Sequence, residues 1–198
     1  ISIGLVGSEM CIRDSFQFLY TQSAHNNRSG LSEAVKVALV KDGEFFDWLE
    51  ENVKSLNSLD PVALEEAVER SAILHARHIA LGGDPFETGS SRPLDFGHWT
   101  AHKMEQLTNF DLSHADAVSV GVALDTLYSA RCGWLSEKDA WRAVGVLQKL
   151  QLPVWHESLE IRDEEGRRMV YRGLEEFREH LGGELTVLML EGIGQGAD

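Results

Sequence analysis

The sequence predicts a mostly α fold with a short β element near the C-terminus. Three observations carry this. Apolar residues recur at helical spacing in one segment after another between Leu31 and Leu181. Most of those segments open on Ser, Asp or Pro, the residues that start helices. One late run, Leu185-Thr186-Val187-Leu188-Met189-Leu190, is apolar and β-branched enough to read as a strand.

The elements follow in order. Leu31, Val35, Ala38 and Leu39 form one stripe, so a helix is expected over 31–41. Phe45, Phe46, Trp48 and Leu49 give a short second helix. Asp60-Pro61 is a helix start, with Asp60 as N-cap and Pro61 at the first position. The pattern then stays helical to Leu81, about five turns at 3.6 residues each. Gly82-Gly83-Asp84-Pro85 breaks it, and a Gly-, Ser- and Pro-rich loop runs to Pro93. Asp95 is expected to cap a helix carrying His98, His102, Met104 and Leu107. Ser113 caps the next, through Val118, Val122 and Leu127, and Ser136 a third, through Trp141, Val144 and Leu147. A last helix, 174–181, stops at Gly182-Gly183. Trp48, Trp134 and Trp141 sit at core spacing and read as packing, Cys132 as a small buried apolar residue, and Lys103 as solvent-facing.

The chain has 198 residues, enough for one domain with a core. Acids outnumber Lys and Arg 32 to 18, a net charge of -14. Nucleic acid is therefore excluded as a main partner, because phosphate binding needs a basic face. A local cationic pocket for a small phosphorylated substrate is compatible with that charge. No apolar run is long enough to span a bilayer. Cys11 and Cys132 make no disulfide framework, which points to the cytoplasm.

Residues 1–15 stand apart. Leu5-Val6-Gly7-Ser8-Glu9-Met10-Cys11-Ile12-Arg13-Asp14-Ser15 matches the translation of a common transposon sequencing adapter. On that reading the segment is not native, Cys11 has no biological meaning, and the natural domain covers 16–198 as a fragment of a longer protein.

The chemistry concentrates in Gly97-His98-Trp99-Thr100-Ala101-His102 and Leu112-Ser113-His114-Ala115-Asp116. His98 and His102, four apart, share a helix face. Upstream, Glu33 and Lys36 lie three apart, again on one face. A carboxylate with two or three imidazoles is what a catalytic zinc site uses. Metalloproteases place Glu directly after the first histidine; here Trp99 stands there, which weakens that reading. Asp95, one turn before His98, is placed to orient its ring. Left to themselves, Glu33 and Lys36 are equally a helix-surface ion pair of little energy.

Together, Gly30-Leu-Ser-Glu-Ala-Val-Lys36, Phe96-Gly-His-Trp-Thr-Ala-His-Lys-Met-Glu105 and Ser113-His-Ala-Asp-Ala-Val-Ser-Val-Gly121 resemble the C-terminal metal-binding domain of 3-dehydroquinate synthase and the related sugar phosphate cyclases. The resemblance spans about Phe16 to Gly194, and the spacing from His98 to His114 agrees with it. It implies Glu33, His98 and His114 as ligands of Zn2+ or Co2+. It implies Lys36 as a substrate-contacting lysine and His102 as a non-ligand histidine in proton transfer. In that family the metal binds two substrate oxygens and NAD takes and returns a hydride. Transient oxidation acidifies the neighbouring C–H bond, phosphate is eliminated, and an internal aldol step closes a carbocycle. The NAD-binding domain of such enzymes is N-terminal, and no Gly-x-Gly-x-x-Gly occurs here, so the fragment is expected to bind metal and not to turn over. A homodimer is implied for the full-length enzyme, by analogy alone.

The departures are specific. Asp95 stands where dehydroquinate synthases carry Asn; His114-Ala115-Asp116 replaces His-Gly-Glu; His75 stands for an expected lysine. Arg92 is one residue nearer to His98 than the family arginine, and the late lysine-rich segment reads Phe177-Arg178-Glu179-His180. Asp95, Arg92 and Arg178 are the expected substrate-binding residues. Exchanging Lys for His and Asn for Asp weakens binding of a carboxylate, and an aspartate at this position resembles cyclases acting on sedoheptulose 7-phosphate, which has none. That substrate is therefore expected ahead of the dehydroquinate precursor. A non-catalytic scaffold relative is the competing reading, and a zinc hydrolase using Asp116 or His102 as base a third.

Overall fold

The computed structural model describes residues 16–81, 95–180, 185 and 187–197. The adapter-like segment, the loop with Arg92, and Gly182-Gly183 lie outside the described residues, as does the His180 side chain.

The chain folds as α-helices α1 (Ala24–Ser29), α2 (Leu31–Lys41), α3 (Gly43–Glu51), α4 (Val53–Asn57), α5 (Pro61–Leu81), α6 (His98–Leu107), α7 (His114–Arg131), α8 (Glu137–Lys149) and α9 (Arg172–His180). Two short 3-10 turns, Glu157–Glu160 and Met169–Tyr171, precede α9. A hairpin of β1 (Met189–Gly192) and β2 (Gln195–Ala197) closes the order.

The helix starts follow local chemistry. Asp60 accepts from the Ala63 N–H at 3.0 Å, Ser113 from Asp116 and Ser136 from Asp139. Each satisfies a donor that the first turn of a helix leaves open. Asp42 caps α3 in the same way.

The core organises around α2. Every residue from Leu31 to Val40 except Glu33 is buried, as befits a helix apolar on nearly all sides. It packs against α3, α5, α7 and the hairpin. α5 contributes Ala63, Leu64 and Ala67; α8 contributes Ala140, Ala143, Val144 and Leu147. Because α2 is central, a charged side chain buried on it, such as Lys36, must find a partner inside the fold.

α6 and α7 cross closely at two glycines. Gly97 has φ +78°, a left-handed conformation that favours glycine. A Cβ on Gly121 would lie 1.9 Å from the Gly97 carbonyl oxygen. The start of α6 is thereby pressed against the middle of α7.

Several expectations are corrected. Asp95 does not cap α6. Gly97 is the N-cap, and its N–H donates to Asp125 Oδ2 on α7 at 2.9 Å, so an acid side chain from across the core serves this helix end. The strand begins at Met189 rather than Leu185. The glycines after it make a hairpin turn, with Gly194 at φ +81° and its N–H donating to the Leu39 carbonyl at 2.7 Å. Trp134 and Trp141 are exposed, while Trp48 packs on the core beside Phe45 with the Arg70 guanidinium 4.9 Å from its ring. Cys132 is exposed. Lys103 is buried, paired with Glu176 of α9 and with Gln106.

Candidate metal centre

Glu33 faces α6 and α7 from the buried helix α2. Its two carboxylate oxygens have different partners. Oε2 meets the Lys36 ammonium at 2.6 Å, and Oε1 lies 3.7 Å from Nε2 of both His98 and His114. Lys36 is 6 % exposed, so the pair is no surface ornament.

The remaining ring nitrogens are accounted for. Nδ1 of His98 lies 3.2 Å from the Phe96 carbonyl, which takes the orienting role expected of Asp95. Nδ1 of His114 lies 3.1 Å from Glu105 Oε2. With an N–H on each Nδ1 donated to these acceptors, both Nε2 lone pairs face the Glu33 carboxylate.

Burial first, and then the Lys36 ammonium, bring the His98 imidazole down to a pKa of about 4 against the opposing pull of Glu33 and the Phe96 carbonyl. His98 is therefore neutral at pH 7, with its lone pair available. Burial alone would raise the Glu33 carboxyl, but Lys36 outweighs it with help from the two imidazoles, and Glu33 sits below the usual carboxylate range.

One carboxylate oxygen and two imidazole nitrogens are a donor set that suits zinc. All three ligand atoms lie within 4.8 Å of one another. Tetrahedral zinc with ligands near 2.1 Å places its donors about 3.4 Å apart, so the 3.7 Å separations need only a small contraction.

A cavity of about 720 Å3 adjoins the group. Its lining includes the polar residues Glu33, Lys36, His75, Asp95 and His98 and the apolar residues Leu31, Leu64, Ala67 and Val68. Three helices and the start of α6 thus bring four of the expected site residues together, and His75 with them. Arg178 is not brought there: it is exposed on α9 and outside the cavity lining. His102 and His114 also lie outside that lining, but the three imidazoles form one cluster. Ring centroids are 5.5 Å apart for His98 and His102, 5.4 Å for His98 and His114, and 5.8 Å for His102 and His114. The Asp116 carboxylate is held by the Ser113 hydroxyl at 2.7 Å and lies 3.1 Å from His25 Nε2, which ties it to the start of α7.

Two residues escaped the sequence reading. Glu105 follows His102 by one helical turn, a spacing that marks it in retrospect. Asp125 is fully buried and accepts from Trp99 Nε1 at 3.0 Å as well as from Gly97. A lone acid inside an apolar helix was its available signal.

Comparison with known proteins places most of the chain in one family. The family model for the 3-dehydroquinate synthase C-terminal domain matches residues 30–169. A 3-dehydroquinate synthase of Pseudomonas fluorescens (strain Pf0-1) is 37% identical over 137 residues, 69% of this chain and 37% of that protein. That of Methylococcus capsulatus (strain Bath) is 33% identical over 153 residues, 77% of this chain and 42% of that protein. The chain thus spans about two-fifths of the length of these relatives. Among solved structures, ValA, the 2-epi-5-epi-valiolone synthase of Streptomyces hygroscopicus subsp. jinggangensis 5008 with NAD+ and Zn2+ bound, superposes with a TM-score of 0.78 at 29% identity. The match covers 92% of this chain and 49% of that one.

Proposed function

Because this chain belongs to the 3-dehydroquinate synthase C-terminal family, we propose that it is the metal-holding part of a zinc- and NAD-dependent sugar phosphate cyclase. The reading rests above all on Glu33 Oε1 facing the Nε2 atoms of His98 and His114 beside a substrate-sized cavity that Glu33 and His98 line. The bound Zn2+ and NAD+ of ValA support the same pair of cofactors for the whole enzyme.

Glu33, His98 and His114 hold the zinc, which supplies Lewis-acid polarisation of substrate oxygens when bound. Lys36, buried and beside Glu33, offers its ammonium to a substrate oxygen from the same helix. Its charge also keeps the Glu33 carboxyl ionised and ready to ligate. His102, exposed but within the imidazole cluster, moves a proton at the reacting carbon or oxygen. Phe96 and Glu105 hold the two ligand rings with Nε2 inward. The apolar lining residues Leu31, Leu64, Ala67 and Val68 keep water from the part of the substrate they cover. The nicotinamide cofactor belongs chiefly to the rest of the enzyme.

For the substrate, Asp95 and His75 both line the cavity. An aspartate repels a substrate carboxylate, and a histidine offers less fixed positive charge than lysine. Both favour a sugar phosphate without a carboxylate, such as sedoheptulose 7-phosphate. The identity to 3-dehydroquinate synthases favours the second reading, the dehydroquinate precursor.

Equilibrium dialysis against zinc tests the metal assignment. The chain is expected to take up zinc, and Glu33→Ala to weaken the tightest binding by roughly 100-fold or more, beyond the 10–100-fold typical of losing an outer-shell partner. A chain without zinc affinity, or one indifferent to Glu33→Ala, overturns it and leaves the scaffold reading.

A further inference from the structure

We propose that His102, Glu105 and His114 form a second divalent-cation position, which competes with the first for the His114 ring. The proposal extends the metal reading above and rests on it for its functional meaning. Each of the three residues offers a ligand atom, and these lie within 4.8 Å of one another. Two imidazoles and one carboxylate again suit zinc.

His114 belongs to both sets through different nitrogens. Its Nε2 faces Glu33 Oε1 at 3.7 Å; its Nδ1 faces Glu105 Oε2 at 3.1 Å. A neutral imidazole has one N–H and one lone pair. When an ion sits with Glu33 and His98, the lone pair is on Nε2 and Glu105 accepts the Nδ1 proton. When an ion sits with His102 and Glu105, the lone pair is on Nδ1 and the proton moves to Nε2, which donates to Glu33. Two ions bound together leave the first with Glu33 and His98 alone.

Burial orders the two positions. His98 has a side chain only 12% exposed and fixed by the Phe96 carbonyl, whereas His102 is exposed and must be ordered on binding. The position with His102 is therefore the weaker and fills when zinc is in excess. Filling it occupies the proton-transferring imidazole and withdraws a ligand from the first ion, so excess zinc is inhibitory in the whole enzyme.

Zinc equivalents bound by the 198-residue chain test this by equilibrium dialysis with zinc alone. The wild type is expected to bind one equivalent tightly and a second at higher zinc. His102→Ala, a change at an exposed side chain, loses the second equivalent and keeps the first. Glu33→Ala retains one equivalent, and Glu33→Ala with His102→Ala retains none. His102→Gln, which keeps bulk and polarity but no imidazole, behaves as His102→Ala. A wild type that saturates at one equivalent, or a second equivalent that survives His102→Ala, overturns the proposal. If Glu33→Ala instead leaves the tight equivalent untouched while the second still depends on His102, the first assignment fails and this one stands.

Discussion

At the scale of single residues, the site depends on side chains whose partners come from other elements. Asp125 is the clearest. Burial, only partly offset by the Trp99 and Gly97 donors, raises its pKa from 3.8 to about 7. The folded state therefore holds a proton that the unfolded state has released between those values. Stability accordingly falls as pH rises from about 4 to about 7 and is flat above, with a limit of roughly 4 kcal/mol at 1.36 kcal/mol per unit. Asp125→Asn removes the titration at the cost of one acceptor, roughly 1 kcal/mol independent of pH. Urea unfolding of the two proteins at pH 5 and pH 8 is expected to show the variant gaining on the wild type at pH 8; parallel curves would refute the buried titration. Glu33 shows the opposite balance, since Lys36 at 2.6 Å overrides its burial.

At the scale of elements, the crossing of α6 on α7 sets the distance between His98 and His114. The Gly97–Gly121 contact leaves no room for a Cβ on the longer helix. Gly121→Ala is expected to cost roughly 1–3 kcal/mol as overpacking and to weaken zinc binding, because it pushes the two ligand-bearing helices apart. Gly145→Ala is the control: nothing lies within 4 Å of an added Cβ there, and Ala favours a helix, so thermal melting should show no loss. The long helices were legible in the sequence because stripes and caps act over neighbouring residues: Asp60, Ser113 and Ser136 cap as expected. α1 and α4 were not, since six and five residues are too few to display a period. Asp95 failed as a cap because an acid side chain 30 residues later reached the same helix end. The hairpin was half seen, because a short strand such as β2 announces itself only through its partner.

At the scale of the whole molecule, Glu33, Lys36 and the cavity meet the histidine cluster because α2 lies buried between α5 and α7. A whole enzyme carrying this domain should release phosphate from sedoheptulose 7-phosphate and little from the dehydroquinate precursor; the reverse preference in a phosphate-release assay assigns it to the dehydroquinate branch. Sequence alone determined the helical class, the principal helix starts, and the three segments that carry Glu33, His98 and His114, since each depends on spacing along the chain. It also marked the family to which the chain belongs. Only the tertiary structure decided that Lys36 is a buried partner of Glu33, that Phe96 and Glu105 meet the His98 and His114 rings, that Asp125 holds the start of α6, and that Arg178 stays outside the cavity. Those outcomes depend on helices far apart in sequence being pressed together, and hydrogen bonds across such contacts leave no periodic trace in the chain.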